Sequence, residues 1–284
     1  MGLKAVLADG DATAEEVAGR CELDVRGCQA VLDSLASFGL VEVVGPRYRA
    51  PASVGLVERS MESIPGRLRG EAPLVAYDQI DGASESYPVM AKLLAKFYGD
   101  QPTRAAALLQ GGGPAVLDLG AGSAVWSLAL ARADDRVMVT AVDLPDVMAT
   151  TRACVAAEGM DARYEFAGGD LFELSLRPRS FDLAIIGHVC HLFGETRNRK
   201  LLARVASALK AGGRIAIIDE PRGDMKRSRN LAMHDLSLFA RTSEGRLHAF
   251  STYASWLRES GFVDIERHDL SDAGEQSLIL ARRP

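Results

Sequence analysis

The sequence predicts an α/β protein: a mostly parallel, seven-stranded sheet wound on both faces, preceded by a helical module that ends in a hairpin. Three observations carry this. Residues 111 to 284 alternate short apolar runs with helical patterns, and such alternation builds a parallel sheet covered by helices. The first apolar run, Ala115 to Leu119, meets Gly120 and Gly122 and then a helical pattern from Ala124, which reads as strand, tight turn, helix. Residues 1 to 50 show three helical patterns and then two short strands around Gly45-Pro46, the order of a winged helix.

In the N-terminal module, Leu3 to Leu7 forms a first helix. Thr13 and Glu16 make a capping box for a second over 15–21. Asp24 caps a third, along which Cys28, Val31, Leu32, Leu35 and Phe38 recur at helical spacing up to a Gly39 C-cap. Leu40–Val44 and Arg47–Arg49 supply the hairpin. A winged helix serves either DNA binding or dimerisation and capping. Residues 1 to 50 hold five basic and eight acidic residues, and Asp24 and Asp33 flank Arg26 on the would-be recognition helix. That is a poor footprint for phosphates, so nucleic acid is not expected as a partner.

The expected domains are a winged-helix dimerisation or cap domain over 1–75, a helical connector over 76–110 and a ligand-binding sheet domain over 111–284. In the connector a helical pattern from Tyr87 to Leu109 puts Met90, Leu93, Leu94, Phe97 and Tyr98 on one side. Tyr77, Tyr87, Phe97 and Tyr98 either line a pocket for an aromatic substrate or form interdomain core. In the last domain, strands are expected at 115–119, 137–143, 163–167, 181–187, 214–219, 263–269 and 277–282, with the final two as an antiparallel pair. Helices are expected at 124–133, 145–158, 196–209, 225–239 and 252–260.

The chain has 284 residues, 48% hydrophobic, with a net charge of −5, enough to bury a sizeable core. Cys21, Cys28, Cys154 and Cys190 form no Cys-x-x-Cys, so neither a metal site nor a disulfide framework is expected. No apolar run reaches the roughly 20 residues that span a bilayer, and the N-terminus has no basic-then-apolar leader. A cytoplasmic protein without membrane partners is expected.

The second strand ends at Asp143, where a carboxylate suits a ribose diol. Together with the glycine turn this points to a nucleoside-containing cofactor. Val125 stands where a dinucleotide fingerprint has its third glycine, and Asp118 beside the turn would repel a pyrophosphate. Asp118 is instead expected near a cationic ligand. S-adenosylmethionine has a sulfonium, an ammonium, a ribose diol and no phosphate.

Here the sequence resembles the class I S-adenosylmethionine-dependent methyltransferases, specifically the winged-helix small-molecule O-methyltransferases of plant caffeate type and actinobacterial secondary metabolism. The resemblance spans nearly the whole chain. It rests on Val116-Leu-Asp-Leu-Gly-Ala-Gly122, Val142-Asp-Leu-Pro-Asp-Val147, Gly168-Gly-Asp-Leu-Phe172, His188-Val-Cys-His191 and Gly212-Gly-Arg-Ile-Ala-Ile-Ile-Asp219. It implies a Rossmann-like methyltransferase sheet, a homodimer through the N-terminal domain and a small aromatic or polyketide-like acceptor. It also implies that Gly120, Gly122 and Gly187 approach the cofactor, that Asp143 binds its ribose, and that Leu144, Asp170, Leu171 and Phe172 surround its adenine.

By the same resemblance His191 is the general base that takes a proton from a phenolic hydroxyl, and Asp219 orients it. His188 is a second imidazole that shares the role or sits in the core. Tyr77, Tyr87, Met90, Met233, His234 and Ser237 are the implied substrate contacts, with Leu236, Phe239, Phe250 and Tyr253 nearby. Two departures stand out. The family's His-Asp-Trp is His191-Leu192-Phe193, and its second supporting carboxylate falls on Leu247. They leave open an enzyme of the same fold that decarboxylates, hydroxylates or steers cyclisation. A winged-helix metabolite sensor is the remaining alternative.

Overall fold

The structure, a computed structural model, describes residues 3–37, 41–50, 62–223 and 228–284. Internal contacts divide the chain into two units, Met1–Arg59 and Ser60–Pro284.

The first unit holds α1 (Leu3–Ala8), α2 (Ala14–Cys21), α3 (Val25–Ser37) and the antiparallel strands β1 (Glu42–Val44) and β2 (Arg47–Arg49). Thr13 and Glu16 form the expected reciprocal cap, and Asp24 accepts the Gly27 N–H at 2.7 Å. Val6, Val17, Cys28, Leu32 and Tyr48 make a small core. The hairpin arginines are matched to the unit's own acids, Arg47 to Glu16 and Arg49 to Asp11, each at 2.6 Å. The anticipated Phe38 and Gly39 helix end lies outside the described residues, as does Leu40.

The second unit opens with α4 (Ile64–Leu68). From it Arg67 donates to the carbonyls of Phe239, Thr242 and Ser243 at 3.0–3.2 Å. Those bonds tie residues before 75 to the sheet unit, so the contact boundary lies earlier than expected. The single helix expected over 87–109 is two, α5 (Ile80–Ala95) and α6 (Gln101–Leu109). Gly99 at φ +53° separates them and Pro102 starts the second. The break turns Phe97 outward, 69% exposed, so it is not a pocket residue.

Next come β3 (Ala115–Leu119), α7 (Val125–Ala133), β4 (Met138–Asp143), α8 (Pro145–Ala157), β5 (Tyr164–Gly168), β6 (Phe181–Gly187) and α9 (Glu195–Ala208). The chain closes with β7 (Leu209–Asp219), α10 (Arg229–Arg241), α11 (Phe250–Glu259), β8 (Val263–Asp269) and β9 (Ser277–Arg282). Of the helix expected over 225–239, residues 225–227 lie outside the described residues.

The sheet order is β5-β4-β3-β6-β7-β9-β8. Strands β5 through β7 run parallel, and β9 lies antiparallel between β7 and β8. The order reverses between β3 and β6, and ligands of such sheets bind beyond the strand C-termini at that reversal. The pleat sends neighbouring residues to opposite faces. Leu117, Leu119, Ile186 and Ile217 pack with Leu201, Leu202, Trp256 and Leu257. Val116, Leu183, Ile185 and Ile218 pack with Trp126, Leu128 and Leu130. Burial on both faces explains why the central strands β3, β6 and β7 read as nearly continuous apolar runs, whereas the edge strands β5 and β8 do not. Among the described residues no helix is long and apolar enough to cross a membrane.

Candidate active site

At the end of β3 the chain makes three left-handed turns in five residues, Gly120 at φ +70°, Gly122 at +54° and Ala124 at +56°. Glycine adopts these angles freely, whereas an L residue there costs about 1–2 kcal/mol. The third left-handed residue is Ala124, and Val125 opens the helix that follows it. A Cβ on Gly120 would stand 2.5 Å from Val189 Cγ2.

Asp143 joins this turn to the end of β4. Its Oδ2 accepts the Gly122 N–H and its Oδ1 the Leu144 N–H, both at 2.7 Å. A carboxylate has about four acceptor sites, so capacity remains for a diol. Burial pushes Asp143 up to about 6, with the two N–H donors pulling the other way. Asp170 accepts the Phe172 N–H at 2.8 Å. It caps a turn and also borders the cleft.

Gly120, Gly122, Asp143, Leu144, Asp170, Leu171, Phe172 and Gly187 all line one cleft of about 960 Å³, counted out to solvent. Backbone bared by glycine, the carboxylates of Asp78, Asp143 and Asp170 and an apolar wall fit a nucleoside carrying an amino-acid tail and no phosphate. Asp118 does not reach this cleft. It shares the pleat face of Val116 and so points at α7, where Ser127 Oγ donates to its Oδ2 at 2.5 Å. Burial there pushes Asp118 up to about 7. Its expected role beside a cationic ligand is corrected to one in the core.

An imidazole cluster adjoins the cleft: His188 lines it, whereas His191 and then His234 follow ring to ring behind it and are not among its lining residues. His188 holds φ +55° just past β6, a strained conformation of the kind that clusters at functional sites. Its ring stacks on Tyr98 at 4.9 Å and contacts the Gln276 amide through Nε2. Burial pushes His188 down to about 4, although Asp219 pulls upward, so it is neutral at pH 7.

His191 sits on the short turn Cys190–Leu192, buried, with Nδ1 2.6 Å from Asp219 Oδ1. Asp219 also accepts from the N–H groups of His191 and Glu220 and from Tyr253 Oη, at 3.2, 2.9 and 2.8 Å. Burial pushes its carboxyl up, but the charge and hydrogen bond of His191 outweigh burial and hold it well below the usual range. A carboxylate only accepts, so Nδ1–H donates and the Nε2 lone pair is left for a proton. His188, His191 and Asp219 lie close enough to hold a metal ion, yet all four acceptor positions of Asp219 are taken by protein donors.

A second pair stands beside the first. Glu220, the next residue along, is 2.6 Å from Nδ1 of His234 on α10, and the rings of His191 and His234 meet edge-on at 4.8 Å. Burial pushes Glu220 up, but the His234 hydrogen bond prevails and its carboxyl is lowered.

The expected substrate contacts divide. Tyr77 and Tyr87 line the cleft and pack edge-to-face at 5.8 Å. Met90 is buried outside the lining, and Met233 is 53% exposed on the outer side of its helix. Ser237 is half-buried and does not border the cleft. Leu247 is buried and supplies no carboxylate of its own; its N–H donates to Asp235 Oδ1 at 2.8 Å.

Tyr98, offered as a pocket residue, borders the cleft; Tyr253, expected near the substrate, instead donates to Asp219, and sequence reasoning missed Ser127, Glu220 and Gln276 altogether. It also missed Arg197, which stacks over Phe172 and Phe193 at 4.2 and 4.1 Å on the cleft wall. Only Glu220 carried a signal, as an acid adjacent to Asp219 at a strand end.

Comparison with known proteins gives this geometry its family. The model of the O-methyltransferase domain matches residues 103–263. The tetracenomycin polyketide synthesis 8-O-methyl transferase TcmO of Streptomyces glaucescens is 28% identical, over 95% of this chain and 86% of its own. The 3-hydroxy-5-methyl-1-naphthoate 3-O-methyltransferase of Streptomyces sahachiroi is also 28% identical, over 98% and 88%. Among solved structures, the O-methyltransferase NcsB1 of neocarzinostatin biosynthesis, in complex with S-adenosylmethionine and 2-hydroxy-5-methyl naphthoic acid, superposes with a TM-score of 0.68. It is 18% identical, with coverage of 98% and 91%. The chain belongs to the O-methyltransferase family and is an S-adenosylmethionine-dependent O-methyltransferase.

Proposed function

We propose that the protein methylates a phenolic hydroxyl of a small aromatic, polyketide-like metabolite, with His191 as the general base. The observation that carries this is the buried His191–Asp219 pair at the C-terminal edge of the sheet. The naphthoate and tetracenomycin chemistry of the relatives supports the acceptor class.

S-adenosylmethionine supplies an electrophilic methyl group on its sulfonium. The main chain at Gly120, Gly122 and Gly187 bounds its amino-acid end, Asp143 accepts from its ribose, and Leu144, Asp170, Leu171 and Phe172 border its adenine. A phenol with a pKa of about 10 is a weak nucleophile until its proton leaves. Nε2 of His191 takes that proton, and Asp219 stabilises the resulting imidazolium. Tyr77 and Tyr87 offer ring surface to a flat acceptor, and neutral His188 shapes the wall between acceptor and cofactor.

The N-terminal unit acts as the dimerisation or cap module. It exposes Leu23, Val25, Val31 and Val43, an apolar set that a second copy of the chain would cover; light scattering that shows a monomer overturns this part. The function is tested by incubating the protein with labelled S-adenosylmethionine and a panel of naphthols, naphthoates and arylamines. Label on a phenolic oxygen is expected. Transfer to nitrogen or carbon alone, or S-adenosylhomocysteine formed without a methylated product, overturns the acceptor assignment.

A further inference from the structure

The site holds two carboxylate-anchored imidazoles where removal of one proton needs one. Asp219 and Glu220 are consecutive, and each takes the Nδ1 of a different histidine at 2.6 Å. The two rings meet edge-on, 4.8 Å between centroids. Each Nε2 is left without a hydrogen-bond partner among the described residues. An ordinary surface ion pair contributes little to stability. This one is different in place: the side chains of His234 and Glu220 are only 20% and 26% exposed, and the ring edge lies on the proposed base.

From this geometry we infer that His234, held by Glu220, binds a second oxygen on the acceptor. The acceptor is then an aromatic ring with two neighbouring oxygens, ortho or peri, one facing His191 and the other His234. His191 takes the proton of the hydroxyl that is methylated. His234 makes a hydrogen bond to the neighbouring oxygen, accepting from a hydroxyl or, when protonated, donating to a carbonyl. Sites that hydrogen-bond a substrate group discriminate against analogues lacking it, because the buried partner is then left unpaired. The inference rests on the phenolic reading of the same site.

The test compares naphthalene diols bearing ortho or peri hydroxyls with the matching mono-naphthols, by S-adenosylhomocysteine formation. The wild type is expected to favour one diol by about tenfold or more in kcat/KM, the worth of one hydrogen bond. His234→Ala brings that ratio to within about threefold, chiefly through KM, and Glu220→Gln gives an intermediate ratio. An equal proportional loss on diol and naphthol, or no wild-type preference in either pair, overturns the inference. Calorimetric binding of the same compounds to the S-adenosylhomocysteine complex reads the preference without turnover, and equal affinities there also overturn it. Failure of the base assignment looks different: a His191 variant then shows a near-normal rate at pH 7 or a deficit that does not vary with pH, and the diol-to-naphthol ratio of the wild type stays intact.

Discussion

Replacing His191 by asparagine tests the proposed base directly, and the structure sets the size of the effect. Alanine would strand Asp219, which is fully buried, and removing one partner of a buried pair costs about 3–5 kcal/mol. Asparagine places an N–H donor about where Nδ1 stands, so the Asp219 hydrogen bond survives while the Nε2 lone pair is lost. Without a base only pre-ionised acceptor reacts. A phenol of pKa about 10 is roughly one part in a thousand ionised at pH 7, so the variant should be about a thousandfold slower, near 4 kcal/mol of barrier. At pH 9 about one-tenth is ionised, and the deficit should shrink to about tenfold. Initial rates of S-adenosylhomocysteine formation with a naphthol, from about pH 6.5 to 9.5, read this out. A near-normal rate at pH 7, or a deficit that does not change with pH, refutes the assignment of the base.

Other expectations follow from the same geometry. Tyr253→Phe removes the hydroxyl donor to Asp219 and should lower stability by about 1.5–3 kcal/mol in urea unfolding, as for hydrogen bonds to charged groups; a loss under about 0.5 kcal/mol speaks against the network. Asp143 sits near 6, so protonation should weaken S-adenosylhomocysteine binding as pH falls below about 6, and Asp143→Asn should bind weakly without that slope by calorimetry. Asp118 titrates at about 7 when folded against an ordinary 3.8, so the folded state holds its proton more tightly and this group's contribution to stability falls as pH rises through that window. The thermal-stability difference should shift toward Asp118→Asn by up to about 4 kcal/mol between pH 4 and 7, and a pH-independent difference counts against it.

The cofactor half of the site was readable because it is built from backbone. Gly120 and Gly122 mark angles that other residues resist, Asp143 ends a strand with a clear apolar run, and Asp170 follows the next strand by two residues. Topology alone brings those strand ends together at the reversal between β3 and β6. Asp118 was misread for a definite reason: its place beside the glycines suggested the ligand, whereas strand alternation sends it under α7 to Ser127. Gly99 and Pro102 signalled the break near Phe97, but the hydrophobic spacing ran on through it.

The acceptor half was much less readable, because its contacts come from side chains far apart in sequence whose orientation depends on packing. His191, Asp219 and Tyr253 come from three separate elements, and no spacing rule links them. Leu247 suggested that a second carboxylate was missing. Glu220 restores a negative charge near His191, but by a different route: His234 stands between the carboxylate and the base. That changes what the site can do. A carboxylate directly on the base would only stabilise its charged form, whereas an interposed imidazole also presents a hydrogen-bonding nitrogen. The altered chemistry of this chain is therefore expected in its selectivity between acceptors rather than in its proton transfer, and His234 is the residue whose replacement should separate the two.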